Sequence, residues 1–385
     1  MTRFAPLLVL VLPAAALASP PTVGGLEGRE GGQAPESSED QRLDAPTQTD
    51  QVRIINGEAA ASTDFPETGM LLFDGELDFG GFGGGPTRSP ICSSTLIAPD
   101  VVLLAAHCID PAALTFGIGE VIDATWYWSR SADLSGLSDP SGAIQPLPED
   151  ALIATEVVFH PDWVIEELAL GLGENKDIAL MFLAEPVLDV DYAYLPTPDE
   201  IAQITLDADV TIVGWGQQTA TDQFSQPPPG TIYIKQQAVS HISDLADYEF
   251  KVGELETDAR KCHGDSGGPS FLEMEDQDQP FTRRLIGVTS HAYDDTDCFE
   301  TGGVDTRVDF YAAWIDEEMR SRCEDETRAW CGEGPEDHGV LLPPTWQDLE
   351  GKKFLGCSCS TGATPAGMTF WGLGLAALIG LRRRK

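Results

Sequence analysis

Short apolar runs, separated by clusters of Gly, Pro and Asp, restrict the fold of this chain more than any other feature. The runs are MLLF, VVLLAA, ATEVVF, DIALMFL, VTIVGW and RRLIGVTS. Their length and composition are typical of buried strands, whereas stretches with helical periodicity are scarce. The sequence therefore predicts an all-β body. With 385 residues, the chain is long enough for one large domain or two smaller ones that each bury a core.

The charge balance narrows the possible partners. The chain has 63 Asp and Glu against 23 Lys and Arg, which gives a formal net charge of −40. A nucleic-acid backbone is bound by Lys and Arg that displace its counterions, so this charge argues against a nucleic-acid partner. It favours solubility and long-range self-repulsion instead.

The N-terminal end has the composition of a targeting segment. Residues 1–18 combine Arg3, an apolar run and the small-residue site Ala16-Leu17-Ala18, which is the pattern of a secretory signal peptide. Residues 19–53 are rich in Gly, Pro, Glu, Ser and Gln and poor in aromatics, so they cannot bury enough apolar surface to become ordered. The sequence thus predicts an exported protein, at the cell surface or extracellular, with a flexible N-terminal segment.

The C-terminal end, residues 357–385, predicts a second targeting segment after a linker or stalk at 323–356. Its apolar part, Met368–Leu381, is shorter than the roughly twenty residues of a membrane span. Counting from Ala363 brings it close, and the final basic cluster would stay cytoplasmic. Together with Cys357 and Cys359 upstream, these residues resemble the MYXO-CTERM sorting tag of myxobacterial surface proteins. The resemblance implies a tag-processing enzyme and transient membrane insertion; a plain C-terminal membrane tail is the alternative.

The eight cysteines fit an exported protein. An even set in such a chain indicates disulfides, although their pairing cannot be deduced from spacing. No Cys-x-x-Cys pair or His/Cys cluster has the spacing of a zinc site, so no metal is predicted. Processing of the tag at Cys357 and Cys359 would leave six cysteines for three bridges.

One segment, KCHGDSGGPS, presents Ser266 between glycines with Asp265 directly before it. A solvated turn would use the same residue types. An activated serine, however, needs a base and a third group that orients the base. His107 in VVLLAAHCID is a candidate base, although a lone histidine there is more often structural. Asp177 in ENKDIALMFL is a candidate orienting group, because a carboxylate at the threshold of a buried strand needs a partner.

The order His107, Asp177, Ser266 is that of the chymotrypsin class. The strings AAHC, KDIAL, GWG and CHGDSGGP stand in the order found in trypsin-like serine peptidases, which the chain resembles from Ile54 to about Arg320. The resemblance implies two six-stranded antiparallel β-barrels of the chymotrypsin kind with a C-terminal helix. It also implies a serine endopeptidase that acts on proteins or peptides and needs no cofactor.

The resemblance assigns a role to each site residue. Ser266 attacks the scissile carbonyl, His107 takes and returns its proton, and Asp177 orients the imidazole. The backbone N–H groups of Gly264 and Ser266 form the oxyanion hole. The residues assigned to the primary substrate pocket are Arg260, Ser290 and Gly303.

Arg260 occupies the position at which a carboxylate selects Arg or Lys substrates in this family. An arginine in the pocket would repel basic side chains and accept acidic ones. Alternatively, Arg260 turns outward to a surface acid such as Asp258 and leaves a neutral pocket between Ser290 and Gly303. The sequence predicts poor cleavage after Arg and Lys. Three acidic residues of the pocket-side loop would restore part of a basic preference: Asp294, Asp295 and Asp297.

The string VRIING resembles the family's activation site. Cleavage after Arg53 by an activating protease would free the α-amino group of Ile54. The new terminus would fold inward and pair with Asp265, because an unpaired buried carboxylate is strongly disfavoured. The chain is therefore expected to be a zymogen with residues 19–53 as propeptide and residues 54–322 as protease domain.

Further expectations concern disulfides, the final helix and two long segments. The implied disulfides are Cys92–Cys108 and Cys262–Cys298, with Cys323 and Cys331 left to pair locally. DFYAAWIDEEMR predicts the final helix, with a buried face of Phe310, Ala313, Trp314 and Met319. The segments DGELDFGGFGGGPTRSP and WYWSRSADLSGLSDPSGAIQPLPED are interpreted as loop insertions in the first barrel.

Two other function classes remain open. A catalytically inactive binding protein on the same fold would need neither the three motif residues nor the activation site, and fluorophosphonate labelling of Ser266 separates it from an enzyme. A structural or adhesive surface protein, whose acidity matters more than its hydroxyl, predicts no zymogen behaviour.

Overall fold

The computed structural model describes residues 54–322 except 139–142, 220–227, 229, 275–281, 295–297 and 299–300. The predicted signal peptide, propeptide, linker and sorting tag lie outside the described residues. So do several individually predicted residues: Arg53, Asp295, Asp297, Cys323, Cys331, Cys357 and Cys359. Among the helices of the described part, none has both the length and the apolar character needed to cross a bilayer.

The described residues are mostly strands with few helices. The strands are β1 (Glu58–Ala59), β2 (Thr68–Asp78), β3 (Gly84–Ala98), β4 (Val101–Leu104), β5 (Glu120–Ser129), β6 (Leu152–Phe159), β7 (Ala179–Leu183), β8 (Asp209–Gly214), β9 (Gln236–Leu245), β10 (Glu249–Val252), β11 (Pro269–Glu273), β12 (Arg283–Ala292) and β13 (Gly303–Arg307). The helices are α1 (Pro111–Leu114) and α2 (Val308–Ser321). Short 3-10 turns lie at Gly80–Phe82, Ala106–Cys108, Ser135–Leu137, Ile165–Glu167 and Ile201–Gln203.

The strands close into two antiparallel barrels of six strands each. The first has the order β2-β3-β4-β7-β6-β5, with β5 paired back to β2. The second has the order β8-β9-β10-β13-β12-β11, with β11 paired back to β8 and β1 added at β9. Each of the six apolar runs in the sequence overlaps one of these strands. The predicted all-β fold of two six-stranded barrels and a C-terminal helix is confirmed.

One continuous apolar core joins the two barrels. It includes Leu103 and Phe182 of the first barrel, Phe271 of the second, and Tyr311 and Ile315 of α2. Burial of this much apolar surface on both sides of the interface stabilises one arrangement of the barrels. Loops from both barrels are therefore held in a fixed relation where they meet.

The final helix forms as predicted, but its buried face differs from the expected one. Phe310 is 48% exposed and Ala313 is also exposed, so the prediction is wrong for these two residues. The buried positions follow a spacing of three and four residues from the first residue of the helix: Val308, Tyr311, Ala312, Ile315, Asp316 and Met319. The helix starts at Val308, which belongs to the main core, and this contact sets the face.

The first presumed loop insertion is largely strand. Strands β2 and β3 pair as far as Asp78 and Gly84, and the turn between them contains Gly80–Phe82. The other edge of β2 pairs with β5, so backbone hydrogen bonds on both sides hold this segment extended. The segment is rich in glycine, so its sequence lacks the alternation of side chains that indicates a strand. In the second segment, β5 continues to Ser129, and residues 130–150 follow as irregular chain with 139–142 outside the described residues.

Candidate active site

His107 and Asp177 leave two neighbouring strands of the first barrel. His107 lies in the 3-10 turn that follows β4, and Asp177 precedes β7; the two strands pair through Leu104 and Ala179. His107 Nδ1 is 2.6 Å from Asp177 Oδ2, and the His107 backbone N–H donates to Asp177 Oδ1 at 2.9 Å. The pairing of the strands therefore brings together two residues that are 70 apart in sequence.

Asp177 is fully buried, and its environment stabilises the charged form. Burial would raise its pKa, but the charge of His107 and hydrogen bonds from His107 and Ser290 outweigh burial and lower the pKa. The Ser290 hydroxyl contributes at 2.6 Å from Asp177 Oδ2. A carboxylate that accepts several hydrogen bonds is expected to stay ionised.

Ser266 lies half-buried in the loop between β10 and β11, where glycines are required. Gly264 has φ +94°, and a Cβ there would approach Gly216 Cα to 2.9 Å. Gly267 has φ +76°, and a Cβ there would come within 2.4 Å of the Ser93 carbonyl oxygen. Both the backbone conformation and the space exclude side chains at these positions.

Ser93 of the first barrel ties this loop in place. Its hydroxyl donates to the Gly264 carbonyl at 2.9 Å and accepts from the Trp215 N–H at 3.0 Å. Within the described part of the chain, the amides of Gly264 and Ser266 donate to no other group. Two N–H groups therefore remain available beside the Ser266 hydroxyl.

The structure joins two of the three predicted catalytic residues by hydrogen bonds. His107 Nε2 lies 3.7 Å from Cys108 Sγ. Among the described residues, the Ser266 hydroxyl makes no hydrogen bond, to His107 or to any other group. Ser266 and His107 thus belong to loops of different barrels, and the described residues show no hydrogen bond between them.

Asp265 points away from the serine into the protein. Its Oδ1 accepts from the Gly216 N–H at 2.8 Å and its Oδ2 from the Cys262 N–H at 2.9 Å. Both donors are neutral amides, and burial dominates, so the pKa of Asp265 rises to about 6. Such a carboxylate would gain from a nearby cation.

The residues next to the predicted activation bond are also enclosed. Ile54 is fully buried in the apolar cluster of the second barrel. It has φ +40°, a conformation that a β-branched residue rarely adopts. Ile55 pairs with Arg260 through the Arg260 N–H at 2.9 Å, which places this segment against the loop that leads to Ser266.

The two basic residues of that loop face different surroundings. Arg260 donates to the Glu256 carbonyl at 3.4 Å, and its Cγ is 3.1 Å from where a Cβ on Gly253 would lie. Lys261 is fully enclosed, with its Nζ 2.7 Å from Asp305 Oδ2. A Cβ on Gly303 would lie 3.7 Å from Lys261 Cβ, so Lys261 is the basic residue next to the predicted pocket glycine.

Sequence reasoning missed Lys261 and Asp305, as well as Glu249 and His291. Each is a charged or titratable residue in a segment that is otherwise buried: Asp305 in β13, Glu249 in β10 and His291 in β12. Charge within a short apolar strand was the available signal, because such residues are rarely buried without partners.

Both implied disulfides are present. Cys92 on β3 is bonded to Cys108 in the histidine turn, and Cys262 is bonded to Cys298. The first bridge holds the turn that carries His107. The second joins the serine loop to the segment before β13.

Two closed six-stranded antiparallel barrels with a C-terminal helix define a protein of the chymotrypsin fold. The sequence profile of the family described as Trypsin matches residues 54–315, which is more than half of the chain. The chain belongs to the trypsin family.

Several curated proteins are similar to this chain at low identity. Phenoloxidase-activating factor 1 of Holotrichia diomphalia is 26% identical over 286 residues, covering 71% of this chain and 72% of that protein. Chymotrypsin-like elastase family member 1 of Macaca fascicularis is 25% identical over 279 residues, covering 68% and 94%. Tryptase of Mus musculus is 26% identical over 252 residues, covering 58% and 77%.

Proposed function

We propose that this protein is an exported serine endopeptidase that is made as a zymogen. The observation that carries the proposal is the buried His107–Asp177 pair, with Nδ1 and Oδ2 2.6 Å apart, across from a serine loop that has two available N–H groups. Relatives at about 25% identity bear the names of an elastase and a tryptase, which supports the same class. Export to the cell surface or medium rests on the sequences of residues 1–18 and 357–385.

In the proposed mechanism, Ser266 Oγ attacks the carbonyl carbon of the scissile peptide bond while its proton moves to His107 Nε2. Asp177 stays ionised, holds His107 through Nδ1 and stabilises the imidazolium that forms. The N–H groups of Gly264 and Ser266 donate to the oxyanion. His107 then gives its proton to the leaving amine, and water repeats the sequence to release the acyl group.

The proposed switch is the cleavage of the Arg53–Ile54 bond by another protease. The new ammonium group of Ile54 would supply a direct ion pair for Asp265, which now accepts hydrogen bonds from two amides. Pairing would fix the position of Asp265 and, through it, those of the adjoining Gly264 and Ser266 relative to His107. The strained φ of Ile54 in the uncleaved chain is consistent with a segment that relaxes on cleavage.

We further propose that the enzyme cleaves poorly after Arg and Lys. Asp305 is the acid closest to Lys261, and both of its carboxylate oxygens already accept from that ammonium group. Arg260 adds a second positive charge in the same loop. A basic substrate side chain would therefore meet positive charge, and the described carboxylate beside Lys261 is already engaged, which disfavours such a substrate. It follows that the enzyme would not activate itself at Arg53.

The test is to incubate the purified full chain alone and with a trace of trypsin, then to add a fluorophosphonate probe. Labelling at Ser266 is expected only after cleavage, and Ser266→Ala should abolish labelling and lower turnover by several orders of magnitude. Ser135→Ala, which removes a half-buried serine in the chain after β5, is the matched control and should label normally.

Two results would contradict these proposals. Failure of the cleaved chain to label would favour the inactive binding protein over the enzyme. A peptide library should show preference for acidic or apolar residues, so strong turnover after Arg, or rapid self-activation, would refute the specificity argument alone.

A further inference from the structure

His291, a second buried histidine, directly follows Ser290, whose hydroxyl contacts Asp177. Ser290 Oγ is 2.6 Å from Asp177 Oδ2 and 2.9 Å from His291 Nδ1. His291 Nε2 is in turn 3.0 Å from the Gly171 carbonyl oxygen. Carboxylate, hydroxyl, imidazole and carbonyl therefore form one continuous chain of three contacts.

The number of hydrogen atoms in this chain restricts its protonation. Three contacts need three hydrogens, and the Gly171 carbonyl at one end can only accept. The Ser290 hydroxyl has one hydrogen and a neutral imidazole has one. The third must lie either on His291, as an imidazolium, or on Asp177, as a neutral carboxyl group.

The surroundings of Asp177 place the third hydrogen on His291. Asp177 already accepts from the N–H and the ring of His107, at 2.9 and 2.6 Å, and its pKa is lowered. A group held in this way stays a carboxylate. His291 must then donate through both ring nitrogens, to Gly171 and to Ser290.

A buried acid on β10, which β13 separates from the strand of His291, balances this charge. Glu249 of β10 accepts from the Asn175 side chain at 2.9 Å and from the Gly173 N–H at 2.6 Å. The side-chain oxygen of Asn175, Oδ1, accepts from the Ala169 N–H, which establishes the orientation of the side-chain amide. Burial raises the pKa of Glu249, and the nearby charge of His291 opposes that rise.

Other charges around His291 do not alter this balance. Lys251, two residues along β10 from Glu249, has its ammonium 4.2 Å from the centre of the Tyr293 ring. The Tyr293 hydroxyl donates to Asp244 at 3.0 Å. In the described part of the chain, Asp177, through Ser290, and Glu249 are thus the acids whose charges act on the imidazole.

We propose that His291 is a positioning residue that acts as an imidazolium. It donates one N–H to Gly171 and the other to Ser290, so that the Ser290 hydrogen has no acceptor other than Asp177. Together with Glu249, it also holds the segment 169–175 that leads to Asp177. This role rests on the proposed function, in which Asp177 orients His107. A bare Nδ1 on His291 would instead compete with Asp177 for the Ser290 hydrogen.

The protonation state can be measured without reference to activity. Nitrogen NMR of the ¹⁵N-histidine-labelled full chain, assigned with His291→Gln, should show both ring nitrogens of His291 protonated at pH 7. His160 is the internal control: burial lowers its pKa, so it should be neutral at the same pH. One bare nitrogen on His291 at pH 7 would overturn the proposal, even if the protein is an active peptidase.

The positioning role is tested kinetically in the activated enzyme. His291→Phe should lower kcat/KM by about tenfold, because a hydrogen bond to a charged group is lost. His291→Gln retains an N–H donor and should recover part of that loss. His160→Gln, which alters ring contacts with Tyr311 and Trp314, should match the unmodified enzyme.

Equal kcat/KM and equal pH profiles for the unmodified enzyme and His291→Phe would overturn the role. An activated chain that does not turn over peptides at all would refute the proposed function instead, and the NMR measurement would still decide the state of His291.

Discussion

Asp265 sits between the N–H groups of Gly216 and Cys262, which are 2.8 and 2.9 Å from its oxygens. These neutral donors do not offset burial, and the pKa rises to about 6. A folded-state pKa above the unfolded value contributes stability below the unfolded pKa, and that contribution is lost as pH rises through the folded pKa. The uncleaved chain therefore bears the cost of a buried charge at neutral pH, of about 3 kcal/mol.

Cleavage at Arg53 should reverse this dependence. Pairing with the Ile54 ammonium lowers the pKa of Asp265, so its contribution is then retained at neutral pH. The free energy of unfolding of the cleaved chain, minus that of the uncleaved chain, should rise between about pH 4 and 6. It should fall again above about pH 8, as the α-amino group deprotonates.

The measurement is denaturant unfolding of both forms against pH, in a Ser266→Ala background that prevents self-digestion. Because both forms contain the same other carboxylates, the contributions of those groups to the pH dependence cancel in the difference. Asp265→Ala is the control and should remove the pH dependence of the difference. A difference that persists in this variant would show that another group is responsible.

At the scale of elements, one buried ion pair connects the serine loop to β13. Lys261 Nζ lies 3.0 and 2.7 Å from the two oxygens of Asp305, and 2.9 Å from Ser270 Oγ on β11. The ammonium thus donates to three oxygen atoms, which belong to two strands of the second barrel. Burial lowers the pKa of Lys261, and Asp305 opposes this shift.

Removing one partner should destabilise the protein more than removing both. Lys261→Met leaves the Asp305 charge buried and unpaired and should cost about 3–5 kcal/mol. Lys261→Met combined with Asp305→Leu should recover most of that loss, because no uncompensated charge remains. Urea unfolding of the three proteins checks this expectation. A double variant as unstable as the single one would mean that the ion pair itself, and not its balance, stabilises the barrel.

At the scale of the whole molecule, the net charge of −40 acts on all parts together. Like charges repel more strongly in the compact state than in the unfolded chain, and salt screens this repulsion. The acidic excess therefore favours solubility and disfavours compactness. Local ion pairs, such as Arg284 with Glu200 at 2.9 Å, offset this repulsion only at the sites where they form.

The melting temperature should accordingly rise with ionic strength between about 10 mM and 0.5 M sodium chloride, over which the screening length falls several-fold. Each kcal/mol of repulsion removed corresponds to about 2–4 °C for a domain of this size. Sucrose is the control, because it acts through exclusion from the surface rather than through screening. A melting temperature that is flat or falls with salt would contradict the argument.

Strands of both barrels could be predicted because their signals are local, and the residues proposed for the site stand in short family motifs. The apolar runs predict the strands, and glycine at positions such as Gly264 is required by the backbone itself. The helix face could not be predicted correctly, since contact of Val308 with the core decided it. The β2–β3 hairpin was missed because its pairing depends on backbone hydrogen bonds that leave no pattern in a glycine-rich segment.

The sequence by itself determined the fold class and, through a family resemblance, the two disulfides, and it predicted His107, Asp177 and Ser266 as a catalytic set. Only the tertiary structure decided which other side chains join them. Ser290 reaches Asp177 across 113 residues, and Lys261 reaches Asp305 across 44. Such pairs follow from the closure of the barrels and the twist of their strands, which no short window of sequence contains.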